Sequence, residues 1–470
     1  MKMNKAAIVH TKEQNKIIQH VANNFGILLI EAGPGTGKTS TAIEIIKEIK
    51  PELCLYTAFN KAIVEDSRAK MEPYGVQCKT FHALAYQYVK PLKPISELTY
   101  LCITEDLTYP DKNRIISVIN SFFVSASSDM YEFMDNEFEE QEHTLRDLSI
   151  HYINEMINGN LAPSFGFLLK FFHLMLLDKD TNISFDMVIL DEINDVTGVA
   201  LEIFKLLKAP RKIGLGETNQ AIYGFMNLVN GFEVLSDAPR LPLTKSFRCS
   251  AKIASQIQDF MRAYLDEGYV FTGTDETVGN GKTLYCTRTN SQAIVHIAEQ
   301  ITYGKGFTLL RKPAEIFACP LAIITAGAGK EVYDRKYKFL ENEYRNFKKA
   351  GTKYKNYMAY IKENVEDKEI ESALNLLHYL RTKSINIFDV YKKAKEQKPC
   401  PKTTIATVFT AKGLEFEHVY IGEDLNSAVL AVTTGDEVPE EEYLTEIRCY
   451  FVAASRAQKT LNGATMLAPQ

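Results

Sequence analysis

Residues 26–49 constrain the fold of this 470-residue chain more than any other stretch. Gly26–Glu31 (GILLIE) is a short run of leucine and β-branched side chains, the pattern of a parallel strand buried on both faces. It leads directly into Ala32-Gly33-Pro34-Gly35-Thr36-Gly37-Lys38-Thr39, followed by a helical pattern through Ile49. Strand, glycine loop and helix in this order make a P-loop. Its glycines turn successive backbone N–H groups inward around phosphate oxygens, and the helix N-terminus adds partial positive charge. In that arrangement Gly33, Gly35, Thr36, Gly37 and Ser40 line a nucleoside triphosphate. Lys38 reaches its β- and γ-phosphates, and the Thr39 hydroxyl holds Mg²⁺. The strict motif starts with glycine where this chain has Ala32, a residue small enough for the turn.

A triphosphate site needs an acidic strand end. Phe185–Leu190 (FDMVIL) reads as a second buried strand and runs into Asp191-Glu192-Ile193-Asn194-Asp195. Asp191 is placed to orient Mg²⁺ and Glu192 to accept a proton from an attacking water, which points to hydrolysis rather than binding alone.

Composition bounds the class. A hydrophobic content of 46% and a charged content of 24% are those of a globular chain, which excludes a disordered, collagen-like or disulfide-stapled one. Length suggests roughly three domains. No apolar run approaches the ~18–20 residues that cross a bilayer, and Met1–Thr11 has no apolar leader core, so a cytoplasmic protein without membrane contact is expected. Phe165–Leu177 contains Lys170 and His173 and reads as a buried helix. The net charge of -5 argues against coating nucleic acid by bulk charge but leaves room for a basic groove. The eight cysteines form no CxxC pair, so zinc and iron–sulfur sites are not expected and a reducing compartment fits.

The remaining motifs form an ordered set: Thr11-Lys12-Glu13-Gln14, the glycine loop, Thr57–Ala62 (TAFNKA), Cys78–His82 (CKTFH), DEIND, Gln220–Phe225 (QAIYGF), Ser246-Phe247-Arg248, Arg288-Thr289-Asn290, Lys412–Phe416 (KGLEF) and Tyr450–Ala457 (YFVAASRA). In this order they resemble the UvrD/Rep branch of superfamily 1 DNA helicases, and within it the F-box DNA helicase type. The resemblance implies an α/β fold of two RecA-like P-loop lobes with parallel sheets, each carrying a mainly helical insertion. It further implies that Gln14 reads the adenine edge, although Thr11-x-x-Gln14 is also a helix capping box. Phe247 would stack on the adenine, with Gly413 and Glu415 at the ribose. Gln220 would sense the γ-phosphate, and Arg248 and Arg456 would act as arginine fingers on charge that spreads over its oxygens. Single-stranded DNA would run along Phe59, Asn60, Lys61, Thr80, Phe81, His82, Tyr223, Phe225, Thr289 and Asn290, where aromatic faces hold bases with little sequence preference. The resemblance also implies ATP and Mg²⁺ as ligands, 3′→5′ travel, single/double-strand junctions as substrates, and replication or recombination proteins as partners; the lack of a visible leader or membrane span favours a bacterial or phage-infected cytoplasm over a nucleus.

The chain departs from the family pattern at four places. Glu217 stands where Asp is usual, Asn194 where Gln is usual, Phe409 where His is frequent and Met226 where Arg is common. These lie around coupling and DNA-facing segments. Glu217, Asn194 and Phe409 keep open an ATP-gated remodeller that strips proteins without separating strands, and an RNA-directed helicase is the other alternative.

By the same resemblance the first lobe comprises residues 1–93 and 183–249, with an insertion at 94–182. The second comprises 250–304 and 403–470, with an insertion at 305–402. Strands are expected at Lys282–Thr287, Thr404–Phe409 and Glu417–Gly422. Residues 330–402 carry 18 Lys+Arg against 11 Asp+Glu and are interleaved with tyrosines and phenylalanines, a mixture suited to phosphate contact and base stacking or to a Tyr-rich core under snorkelling lysines. Ala326–Lys330 (AGAGK) lacks the following Ser/Thr and is not a second triphosphate loop.

Overall fold

The computed structural model describes residues 10–58, 61–224 and 228–467. The fold is α/β, and the chain divides into two compact units, Met1–Thr244 and Lys245–Gln470.

In the first unit the strands are β1 (Gly26–Ala32), β2 (Cys54–Ala58), β3 (Gln77–Cys78), β4 (Met187–Asp191), β6 (Arg211–Gly216) and β8 (Arg240–Leu243). They form a parallel sheet in the order β3-β2-β4-β6-β1-β8. A small antiparallel pair, β5 (Val196–Thr197) with β7 (Leu228–Val229), stands apart. The strands alternate because both faces are covered. Leu29, Leu55, Val188 and Leu190 point into a core with the helices Phe81–Tyr88, Phe165–Leu177 and Gly198–Leu206. Leu28, Ile30, Tyr56, Met187, Ile189 and Leu215 point into a second core with the helices Lys12–Asn23, Lys38–Ile49 and Lys61–Met71. Two buried faces explain why Ile27–Ile30 in β1 and Met187–Leu190 in β4 read as unbroken apolar runs.

Between β3 and β4 the chain is helical, with Tyr109–Val124, Met130–Glu137 and His143–Ile157 packed around Ile115, Ile119, Phe122 and Phe123. The helix Phe165–Leu177 joins this packing to the sheet, since Phe167 enters the helical core while Leu168, Leu169 and Phe172 enter the sheet core. Buried Lys170 donates to Ser125 O at 2.9 Å and Ser127 O at 2.6 Å, at the C-terminal end of Tyr109–Val124, where a cation is favoured. Phe165, at 61% exposure, and Phe171 and Leu177 depart from the uniformly buried helix expected there.

The second unit holds β9 (Thr283–Thr287), β10 (Thr308–Leu309), β11 (Thr403–Thr407), β12 (Phe416–Ile421) and β13 (Ala457–Asn462), parallel and in the order β10-β11-β9-β12-β13. The strand expected at Thr404–Phe409 stops at Thr407. There the chain turns into the short helix Val408–Ala411, with Thr410 Oγ1 donating to Thr407 O at 3.0 Å. β10 lies beyond the 304/305 boundary suggested by sequence, and one apolar core runs from Ile294 and Ile405 through Phe317 and Ile323 to Tyr357 and Leu377. Within it Tyr344, Phe347, Tyr354, Tyr357 and Tyr360 pack ring against ring at 5.0–6.4 Å. The rings of 344–360 are therefore core, whereas Tyr333, 86% exposed, Phe339, Tyr379 and Phe388 are exposed.

Candidate functional site

In the first unit β1 delivers the chain into the glycine loop. The Gly33 N–H donates to Leu243 O on neighbouring β8 at 3.0 Å, and Thr36 closes the turn through its hydroxyl to Gly33 O at 2.8 Å. Gly35 and Gly37 have φ of 69° and 87°, the left-handed region that glycine enters without strain. Gly37 caps the helix Lys38–Ile49 without a side-chain bond to its first-turn amides. Those amides, beside half-buried Thr39 and exposed Ser40, form an anion cradle that a triphosphate fits. Gln14 forms the capping box with Thr11, and its Nε2 donates to Thr41 Oγ1 at 3.1 Å. The capping-box reading therefore holds, and in this state the amide that would read adenine is engaged by the protein.

The end of β4 lies alongside. Lys38 Nζ meets Glu192 Oε1 at 2.5 Å. Burial would lower the Lys38 pKa, but Glu192 and Asp191 outweigh it and hold the ammonium above its ordinary value. Burial raises the Asp191 carboxyl, with Lys38 opposing and Glu192 adding to the rise. Asp191 Oδ1 accepts the Glu192 N–H at 3.0 Å and Oδ2 accepts the Tyr56 hydroxyl, which in turn accepts from Ser67 Oγ at 2.9 Å. Glu192 has φ 55°, a left-handed conformation costing a non-glycine residue on the order of 1 kcal/mol or more, of the kind found where a side chain must be aimed. Thr39 with Asp191 is an oxygen donor set suited to Mg²⁺.

Gln220 is buried and its Nε2 donates to Glu217 Oε2. Tyr223 is half-buried. Thr80 caps the helix Phe81–Tyr88 by accepting the Ala83 N–H at 3.2 Å. Phe81, expected to face DNA, is 3% exposed and belongs to the sheet core, so its ring has no face for a base; this corrects the expectation. His82 lies edge-on to Phe165 with ring centroids 6.1 Å apart, and burial lowers its pKa. The exposure of Phe165 is hidden in an apolar run that reads as helix core; its place at the first position of that helix, after the Ser164 cap, is the available signal. Phe59, Asn60 and Phe225 lie outside the described residues, as does the side chain of Lys61, which opens the helix Lys61–Met71.

In the second unit Phe247 is 47% exposed, with the Lys245 ammonium 5.7 Å from its ring centroid. Arg248 Nε donates to Glu415 Oε2 at 3.1 Å, so the expected ribose ligand here holds an expected finger. Gly413 has φ 86° in the turn before Glu415. Arg456 is 1% exposed, and its guanidinium donates to Val452 O at 3.0 Å, Leu414 O at 3.3 Å and Ser455 Oγ at 3.0 Å. Thr289 caps the helix Asn290–Thr302, and its hydroxyl donates to Asp424 Oδ2 at 3.0 Å; its side chain is therefore structural in this state. Arg288 forms a bidentate pair with Glu446 at 2.8 Å and lies 4.9 Å from the Phe409 ring, which accounts for the aromatic at that departure.

Residues 14–226 match the model of an AAA domain family. The chain is 23% identical to F-box DNA helicase 1 of Gallus gallus, over 96% of this chain and 48% of the relative. It is 24% identical to F-box DNA helicase protein 1 of Schizosaccharomyces pombe, over 96% of this chain and 57% of that one. It is 25% identical to the mitochondrial ATP-dependent DNA helicase HMI1 of Saccharomyces cerevisiae, over 57% of this chain and 42% of that protein. The chain thus spans about half the length of these relatives.

Proposed function

We propose that this chain, which resembles the F-box DNA helicases over nearly its whole length, is an ATP-driven motor that travels 3′→5′ on single-stranded DNA and separates strands at a junction. The observation that carries the reading is the meeting of Lys38 with Glu192 beside a helix N-terminus whose cap, Gly37, makes no side-chain bond to the first-turn amides. A cation, an anion cradle and a paired general base within one contact are what γ-phosphate hydrolysis needs. Bound Mg²⁺, held by Thr39 and through Asp191, would neutralise charge on the phosphates. Lys38 would exchange Glu192 for phosphate oxygens, freeing the carboxylate to take a proton from water. Gln220 would orient that water, and Arg248 and Arg456 would stabilise the transition-state charge; both would leave their present partners to do so. Phe247 would stack on the base, with Gln14 reading its edge and Gly413 and Glu415 at the ribose.

The DNA path we propose includes Phe59, Asn60, Lys61, Thr80, His82, Tyr223, Phe225 and Asn290, with Phe165 added beside His82. The helical stretches 94–182 and 305–402 are proposed as insertions into the two lobes. Replication, recombination or repair is the proposed setting, in a cytoplasm. Among the described residues no helix is long and apolar enough to cross a membrane.

ATP turnover measured with no nucleic acid, single-stranded DNA and single-stranded RNA tests the reading. Stimulation by DNA of more than about tenfold is expected. Stimulation by RNA alone would transfer the proposal to an RNA-directed motor, and none by either would overturn it.

A further inference from the structure

Next to the strand end that carries Asp191 and Glu192, four buried polar side chains are linked by hydrogen bonds. Asn194, 1% exposed, donates from Nδ2 to Asp195 Oδ2 at 3.1 Å and accepts the Glu217 N–H on Oδ1 at 3.0 Å. Glu217, 2% exposed, accepts the Gln220 side-chain amide on Oε2, while the Gln220 N–H donates to Glu217 O at 3.0 Å. Gly216 closes over this chain: a Cβ there would lie 2.4 Å from Asn194 Oδ1. The Asn194 amide therefore has no space to lengthen on that side.

We infer that Glu217 is a positioning residue whose length fixes the Gln220 amide, with Asn194 anchoring the Glu217 backbone from behind. This rests on the proposed role of Gln220 at the γ-phosphate. Two of the departures from the family pattern fall in this one hydrogen-bonded chain, and they have opposite sign: Asn194 is one methylene shorter and Glu217 one methylene longer. A carboxylate drawn back by one C–C bond, about 1.5 Å, would leave the Gln220 amide beyond hydrogen-bond range. Gln220 would then lose the bond that aims its amide, and that amide would shift relative to the attacking water. The competing role for a carboxylate here is direct action on the metal or its water, which needs charge rather than length. The two roles order the same variants oppositely.

Glu217→Asp keeps charge and loses length, whereas Glu217→Gln keeps length and an acceptor oxygen but loses charge. Variants of the whole 470-residue chain are compared for kcat and KM of DNA-stimulated ATP turnover. Fluorescence titration with mant-ADP and a mant-labelled non-hydrolysable ATP analogue gives the preference for a γ-phosphate, which a merely structural change would not alter. Misplacing a catalytic group by about 1 Å costs about 10²-fold, so Glu217→Asp should lower kcat by about that factor, leave KM within about threefold and reduce the triphosphate preference. Glu217→Gln should retain more than a tenth of the wild-type kcat. A Glu217→Asp variant as active as Glu217→Gln, or more so, overturns the inference. If Glu217→Asp does not fold, a loss beyond tenfold in a folded Glu217→Gln overturns it alone. Wild-type turnover with the reversed order of variants sinks this inference only; a wild type without turnover sinks the motor reading and this with it.

Discussion

The Tyr56 hydroxyl is the most exacting place to test how the Asp191 carboxylate, proposed for the metal, is held. Tyr56 is fully buried, its hydroxyl donates to Asp191 Oδ2, and it accepts from Ser67 at 2.9 Å. Tyr56→Phe removes one oxygen, changes no apolar packing, and leaves a buried carboxylate short of one donor. A hydrogen bond to a charged group contributes about 1.5–3 kcal/mol, and the relay from Ser67 is lost as well. The variant should lose about 2 kcal/mol, which for a unit of this size lowers the melting temperature by roughly 4–8 °C. The pH dependence follows from Asp191. Burial raises its folded pKa above 3.8, so at neutral pH the ionised form carries the penalty, and protonation relieves it as pH falls through the folded value. Loss of the hydroxyl raises that pKa further, so the deficit should be largest near neutrality and shrink toward acid. Near-UV circular dichroism melts of wild type and variant between pH 5 and 8, far enough from acid denaturation, measure it. A melting temperature within 1 °C of wild type, or a deficit that grows toward acid, would refute the reasoning.

Lys38→Ala should abolish ATP turnover while nucleotide-free DNA binding, read by fluorescence anisotropy, persists; retained turnover would contradict the site. Arg248→Ala should keep nucleotide affinity and lower kcat by about 10³-fold, as loss of an arginine finger does, and it is a cleaner test than Arg456, which is built into the second unit. His82→Ala and Phe165→Ala should each weaken single-stranded DNA binding by about 1–3 kcal/mol whatever the sequence, visible in equilibrium titrations at fixed salt. Lys170 is held at about 8 by burial, below its ordinary 10.5. A lysine with a lowered folded pKa penalises the fold below that value, so stability should rise between pH 8 and 10.5. Relative to Lys170→Met, denaturant titrations should show a gain over that window of at most about 3 kcal/mol.

What was legible in the sequence is what local rules impose. β1 and β4 are covered on both faces, so Ile27–Ile30 and Met187–Leu190 are apolar throughout and announce themselves. The glycine loop needs left-handed φ at Gly35 and Gly37, and the residue types follow. The Thr11–Gln14 box is a four-residue device and was read correctly. What failed depends on which way a ring points. Phe81 and His82 are neighbours on one helix, and a turn of about 100° per residue sends one into the core and the other, half-buried, against the Phe165 ring. Sequence motifs cannot separate them. The tyrosines of 344–360 were ambiguous for the same reason: their spacing fits both a stacking surface and the ring-on-ring core found. Phe165 was hidden by its strongly apolar neighbours. The Asn194–Glu217–Gln220 linkage joins residues on separate loops, a pairing no local pattern could disclose.

The measurement that bears most directly on the motor is strand displacement from 3′-tailed, 5′-tailed and forked duplexes with ATP and Mg²⁺, followed by fluorescence of a released labelled strand. The account predicts release from the 3′-tailed and forked substrates, dependent on hydrolysis and lost in Lys38→Ala. Release from none of the three, while DNA-stimulated turnover continues and a bound protein block is displaced, would contradict strand separation and leave a translocating remodeller in its place.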